Sequence, residues 1–107
     1  MRIAYVTEDY IEFDNGNVID FTHREDCCEY NYADFTQLEQ LAFNAEFDEE
    51  LKFEKTEHGF RFGDSNQMFF IPCYTHQNGF YSPNVEIYYN GNEVLSVEGE
   101  WIDELSV

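Results

Sequence analysis

Along the first part of the chain the apolar residues fall at every second position, and this period commits the backbone to strands before any other feature is weighed. Ile3 and Tyr5, with Thr7, share one side of a first strand, and Ile11 and Phe13 share a side of the next. Successive side chains of an extended chain leave on opposite faces, so the pattern describes a half-buried sheet. Asp14-Asn15-Gly16-Asn17 then supplies residues that accept positive φ, which predicts a hairpin between 10–13 and 18–23. In its second arm Ile19, Phe21 and His23 lie on one face and Asp20, Thr22 and Arg24 on the other.

After a break at Arg24-Glu25-Asp26, residues 27–32 are expected to be extended again. Phe35, Leu38, Leu41 and Ala42 then recur at helical spacing behind Asp34, a residue type that caps helix N-termini, which predicts one helix to about Asn44. Glu46, Asp48, Glu49 and Glu50 form an acidic connection. Residues 51–57 and 60–62 flank His58-Gly59 as a hairpin, and 68–74 is an apolar strand. Pro72 lacks a ladder donor, which predicts an edge position or a bulge there. Val85, Ile87 and Tyr89 alternate up to Asn90-Gly91 and the chain returns through 94–97, an asparagine-glycine hairpin. The fold class expected is α+β, a curved and mainly antiparallel sheet with one principal helix packed on a face, in a single domain spanning 1–107.

Charge narrows the function. Against 23 Asp and Glu stand only Arg2, Arg24, Lys52, Lys55 and Arg61, a formal charge of −18 at pH 7. Eleven Phe and eight Tyr supply a core, so the acidity is not that of a disordered tail. Nucleic-acid and anionic-membrane binding both need Lys or Arg against phosphates, and this balance excludes them as ordinary modes. A small domain needs a net charge of magnitude only about 2 to 8 for solubility. The excess points to a basic partner, whose encounter such a field accelerates. Phe69, Phe70, Tyr74, Phe80, Tyr81, Tyr88 and Tyr89 are assigned to core and sheet-face packing, since single-strand binders set their aromatics in a basic groove. No apolar run has the length of a membrane span and no secretory pattern opens the chain, so the host cytoplasm is the expected compartment.

In that setting three cysteines, Cys27, Cys28 and Cys73, favour free thiols or metal ligands over disulfides. Thiolate and imidazole are the preferred donors of closed zinc sites. Cys73 and His76, set as Cys-x2-His, are the first candidate pair; His23 comes next, then Cys28 ahead of Cys27, because adjacent residues of an extended chain point apart. Zinc as a structural staple is therefore the cofactor expectation, against a plainer reading in which the cysteines are small buried hydrophobes. A cysteine nucleophile paired with His23 or His76 is opposed by Glu25, Asp26 and Glu29, since negative neighbours raise a thiol's pKa. Catalytic zinc with Glu25 or Glu29 as base lacks the His-Glu-x-x-His pattern. The chain is expected not to be an enzyme.

The run His23-x-x-Asp26-Cys27-Cys28-Glu29, with Asn78-Gly79-Phe80-Tyr81-Ser82 downstream, resembles a small family of unknown function found in phages and their bacterial hosts. Cys73 and His76 depart from that pattern. Size and acidity also resemble phage anti-CRISPR proteins that inhibit type II RNA-guided nucleases. The resemblance implies binding to a basic surface of the host's CRISPR effector nuclease and exclusion of target DNA, because such nucleases hold nucleic acid in positively charged channels. The alternatives are a small metal- or cysteine-dependent enzyme acting on a host signal, or a general DNA mimic.

Overall fold

A computed structural model describes residues 1–22, 30–77 and 82–102. The chain forms two sheets on one hydrophobic core. The first contains β1 (Ile3–Val6), β2 (Tyr10–Phe13), β3 (Val18–Thr22), β8 (Asn84–Tyr89) and β9 (Asn92–Glu98), hydrogen-bonded in the order β1-β2-β3-β8-β9 and antiparallel throughout. The second contains β5 (Lys52–Thr56), β6 (Gly59–Gly63), β7 (Met68–His76) and β10 (Glu100–Trp101) in the order β10-β7-β6-β5, with β4 (Tyr30–Ala33) also paired to β7.

The expected α+β class with a principal helix is corrected: the protein is nearly all β, with no helix of seven or more residues among those described. Residues 35–44 form two 3-10 turns, Phe35–Gln37 and Gln40–Asn44, separated by extended backbone at Leu38 and Glu39. Asp34 does cap the first, accepting from the Thr36 amide at 3.1 Å. A ten-residue helix is marginal on its own, so packing decides the conformation. It buries Phe35, Leu38, Ala42, Ala45 and Phe47 and leaves Leu41, which the helical spacing counted as core, 66% exposed.

The three hairpins form where turn chemistry places them. Gly16 takes φ 90° between β2 and β3, His58 takes φ 58° between β5 and β6, and Asn90-Gly91 take φ 51° and 82° between β8 and β9. That last pair has both central residues at positive φ, which matches the right-handed twist of the strands it joins. Two features break the simple alternation. A bulge between Ile3 and Tyr5 moves Tyr5 opposite Glu12 and Val6 opposite Ile11, so Tyr5 leaves the core face it was expected to share with Ile3. Pro72, expected at an edge, sits inside β7 where the strand changes partner: Pro72 lies opposite Gly59 of β6, and Cys73 opposite Ala33 of β4. The Pro72 carbonyl accepts from Asp34 N at 2.8 Å and Cys73 N donates to the His58 carbonyl at 2.9 Å, so the ladder closes on either side of the missing donor.

Phe47 joins the two sheets. Its ring lies 5.7 Å from Phe13 of the first sheet, and 5.7 Å from both Phe62 and Phe69 of the second. Aromatic pairs at such distances add about 0.5–1.5 kcal/mol beyond the area they bury. The Phe47 backbone is fixed by reciprocal bonds of 2.7 Å with Met1. Phe35 packs on Phe21 at 5.8 Å, and Phe53 on Tyr89 at 5.6 Å.

Candidate functional site

Ile11, Ile19, Val85, Ile87 and Val97 are buried and define the inner face of the first sheet. Residues paired across a ladder share a face, so the positions between them form its outer face. One row there is Tyr10, Asp20 and Tyr88, with Glu93 opposite Tyr88 on β9. Flanking rows carry Glu12 opposite Val18, and Thr22, Glu86 and Ser96. Strands β1, β2, β3, β8 and β9 contain no Lys or Arg. The described cations lie elsewhere: Lys52 and Lys55 on β5, Arg61 on β6 in an ion pair with Glu54, and Arg2 ahead of β1.

The face responds electrostatically to its own composition. Partial burial raises the Asp20 carboxyl above the ordinary aspartate range. The Tyr88 phenol is also raised, by desolvation first and then by the neighbouring Glu86, Glu93 and Asp20 carboxylates. Both shifts come first from desolvation, and only the Tyr88 shift carries a contribution from neighbouring carboxylates.

Beside this face lies an open hollow of about 500 Å³, whose walls include Asp9, Tyr10, Asp20, Thr22 and Tyr30. Tyr30 begins a row of rings that runs onto the second sheet. Its centroid is 4.8 Å from Tyr32 with the planes 26° apart, and Tyr32 lies 6.0 Å from His76 at 13° and 5.6 Å from Tyr74 at 41°. The pairing of β4 with β7 creates the row, setting Tyr30 opposite His76 and Tyr32 opposite Tyr74. Gln37 holds one end, donating to Tyr74 Oη at 3.0 Å and to Asp34 Oδ2 at 2.8 Å. The Tyr32 phenol is raised, by desolvation first, then by Asp34 and the two neighbouring tyrosines.

The family model Domain of unknown function (DUF7448) matches residues 2–87. The chain belongs to the DUF7448 family. No curated protein and no solved structure matches it. The DUF7448 match takes in the hollow and the whole ring row, and it ends inside β8, before β9 and β10.

Of the metal ligands expected from the sequence of this DUF7448 protein, His23, Cys27 and Cys28 lie outside the described residues. Cys73 and His76 both lie on β7, which runs on as strand past the expected 68–74 to His76. Three residues apart on an extended strand they are separated by about 10 Å of backbone and leave on opposite faces. Cys73 is fully buried in the core and desolvation pushes its thiol up to about 12, the behaviour of a packed hydrophobe. His76 stacks on Tyr32 on the outer face. Among the described residues no group of three or more His, Cys, Asp or Glu side chains is gathered as for a metal ion, and no helix is long and apolar enough to cross a membrane. His58 occupies the hairpin turn expected at His58-Gly59, and its Nδ1 is buried without a hydrogen-bond partner.

The sequence reading missed the Tyr30–Tyr32–Tyr74–His76 row and the Tyr10–Asp20–Tyr88 row. The first had a local trace in Tyr30-x-Tyr32 and Tyr74-x-His76. The second had none, because it depends on β3 lying beside β8.

Proposed function

We propose that this protein is a non-catalytic binding domain that lays the outer face of its first sheet on a basic surface of a protein partner. The observation that carries the reading is the segregation of charge: Glu12, Asp20, Glu86 and Glu93 lie on a sheet without a single Lys or Arg in its strands. Carboxylates arrayed on a rigid sheet form a preorganised field that steers a cationic surface into register, and tyrosines among them give that surface something to pack on.

The specific partner we propose is the host's CRISPR effector nuclease, whose nucleic-acid channels are lined with positive charge. The support for that choice is the size, the charge of −18 and the resemblance to acidic phage inhibitors. The test is target-DNA binding by the guide-loaded nuclease in the presence of the protein. The expected result is near-stoichiometric loss of DNA binding, weakened by raised salt and by Glu86→Gln with Glu93→Gln. Full DNA binding at saturating protein would exclude this partner.

A structural zinc ion is a separate proposal. It would draw on His23, Cys27, Cys28 and His76, since Cys73 is fully buried in the core and faces away from His76.

A further inference from the structure

We infer that the ring row of Tyr30, Tyr32 and Tyr74, with the Asp20 hollow beside it, is an anchor site for an arginine side chain of the partner. The inference rests on the proposed docking of a basic surface and names where and by what chemistry that surface is gripped.

Tyr30 is the exposed end of the row, and Tyr32, Tyr74 and His76 are half-buried. Tyr30 is 49% exposed although its ring stacks on Tyr32 at 4.8 Å. Tyr32 lies 26° from the plane of Tyr30 and 13° from that of His76, while Tyr30 and His76 are tilted 37° apart; Tyr74 closes one end, its hydroxyl held by Gln37. A guanidinium is planar, weakly hydrated and attracted to a ring face by the ring's quadrupole, so it stacks where an ammonium only approaches as a point charge.

Charge complementarity selects a cation as the occupant. Strands β4 and β7 contain no Lys or Arg. Carboxylates border the row: Asp34 beyond Tyr74, bonded through Gln37, and Glu100 of β10 opposite Tyr74 on β7. Beside Tyr30 the hollow of about 500 Å³ is walled by Asp9, Tyr10 and Asp20. An arginine stacked on Tyr30 at the hollow therefore has the Asp9 and Asp20 carboxylates as acceptors for its N–H groups within the same depression. Two planar N–H edges on a carboxylate and a face on a ring are the contacts that make arginine and tyrosine frequent partners at the centres of interfaces.

The experiment compares two nine-residue probe peptides of equal charge, alternating glycine with arginine and glycine with lysine, by titration calorimetry at low and at physiological salt. The wild type should bind the arginine peptide about fivefold more tightly than the lysine peptide, the size of one stacking contact. Tyr30→Ala and Tyr32→Leu should remove that preference while leaving the salt dependence in place. Tyr30 is half exposed, so its variant keeps the test available should Tyr32→Leu fail to fold. Equal affinity for both peptides in the wild type, or a preference that survives Tyr30→Ala, overturns the arginine anchor and leaves the acidic docking face standing. Failure of both peptides to bind at low salt overturns the docking face as well as the anchor. A neutral hexose oligosaccharide that binds the row while the arginine peptide does not would assign it to a sugar, and the inference would fall.

Discussion

Thr75 of β7 donates its hydroxyl hydrogen to the Asn31 Oδ1 of β4, directly opposite it in the ladder, and both side chains are buried. Asn31 extends the link by donating through Nδ2 to the Ser82 carbonyl at 2.7 Å, and Gln77 Nε2 donates to Thr75 Oγ1 at 2.8 Å. This polar seam ties β4 and β7, the two strands that carry the ring row, to the chain entering β8.

Thr75→Val is expected to cost about 1–3 kcal/mol, because it leaves a buried Asn31 oxygen short of a donor. Asn31→Leu should cost at least as much, since it releases Ser82 as well. The double variant should be less destabilised than the two added, with a coupling on the order of 1 kcal/mol. Chemical denaturation of the four proteins supplies the cycle, and full additivity would mean that the pair does not act as a unit.

Asp20 carries the sign of a functional group that stability does not favour. Its carboxyl is raised by burial, so the folded state holds the proton more tightly than the unfolded state does. The penalty is therefore present above the folded-state pKa and fades as pH falls through it and below the ordinary aspartate range. Asp20→Asn should raise the melting temperature slightly at pH 7, the difference from wild type closing on acidification, and should weaken binding to a cationic partner. Thermal scans across acidic to neutral pH check the first part; a gain that grows on acidification would reverse the assignment.

Cys73 is expected to behave as core. Cys73→Ala should cost roughly 1–2 kcal/mol, as loss of a buried side chain does, with no change in whatever zinc the purified protein contains. Peptide mapping after alkylation at pH 8 should find Cys73 unmodified in the native protein and modified once it is unfolded, as its burial and raised thiol require. Loss of bound zinc in Cys73→Ala, seen by elemental analysis, would place the thiol at a metal instead.

The parts of the fold that were legible in the sequence are those decided within a few residues. Asp14-Asn15-Gly16-Asn17, His58-Gly59 and Asn90-Gly91 each set a hairpin through turn chemistry alone, and the alternation beside them assigned Ile11, Ile19 and Ile87 to the core. The 35–44 segment misled because its spacing is helical while its true buried set runs on to Ala45 and Phe47, a choice made by the facing sheets. Tyr5 was displaced by a bulge that nothing local announces, and Pro72 was tolerated because β7 changes partner there. β10 is two residues long and pairs parallel to β7 at Tyr74 and Thr75, a contact without a local signal. The net acidity was plain in the composition. The row that Asp20, Tyr88 and Glu93 form on one sheet was not, since that requires β3 beside β8 and β8 beside β9.

The account stands or falls on which surface a cationic partner touches. Titrating isotopically labelled protein with the arginine–glycine peptide at low salt, and following backbone amide shifts residue by residue, addresses this directly. Shifts should concentrate at Tyr10, Asp20, Glu86, Tyr88 and Glu93 and extend through Tyr30 and Tyr32, with the outer face around Lys52 and Arg61 unmoved. Shifts centred on β5 and β6, or spread evenly over both sheets, would contradict it.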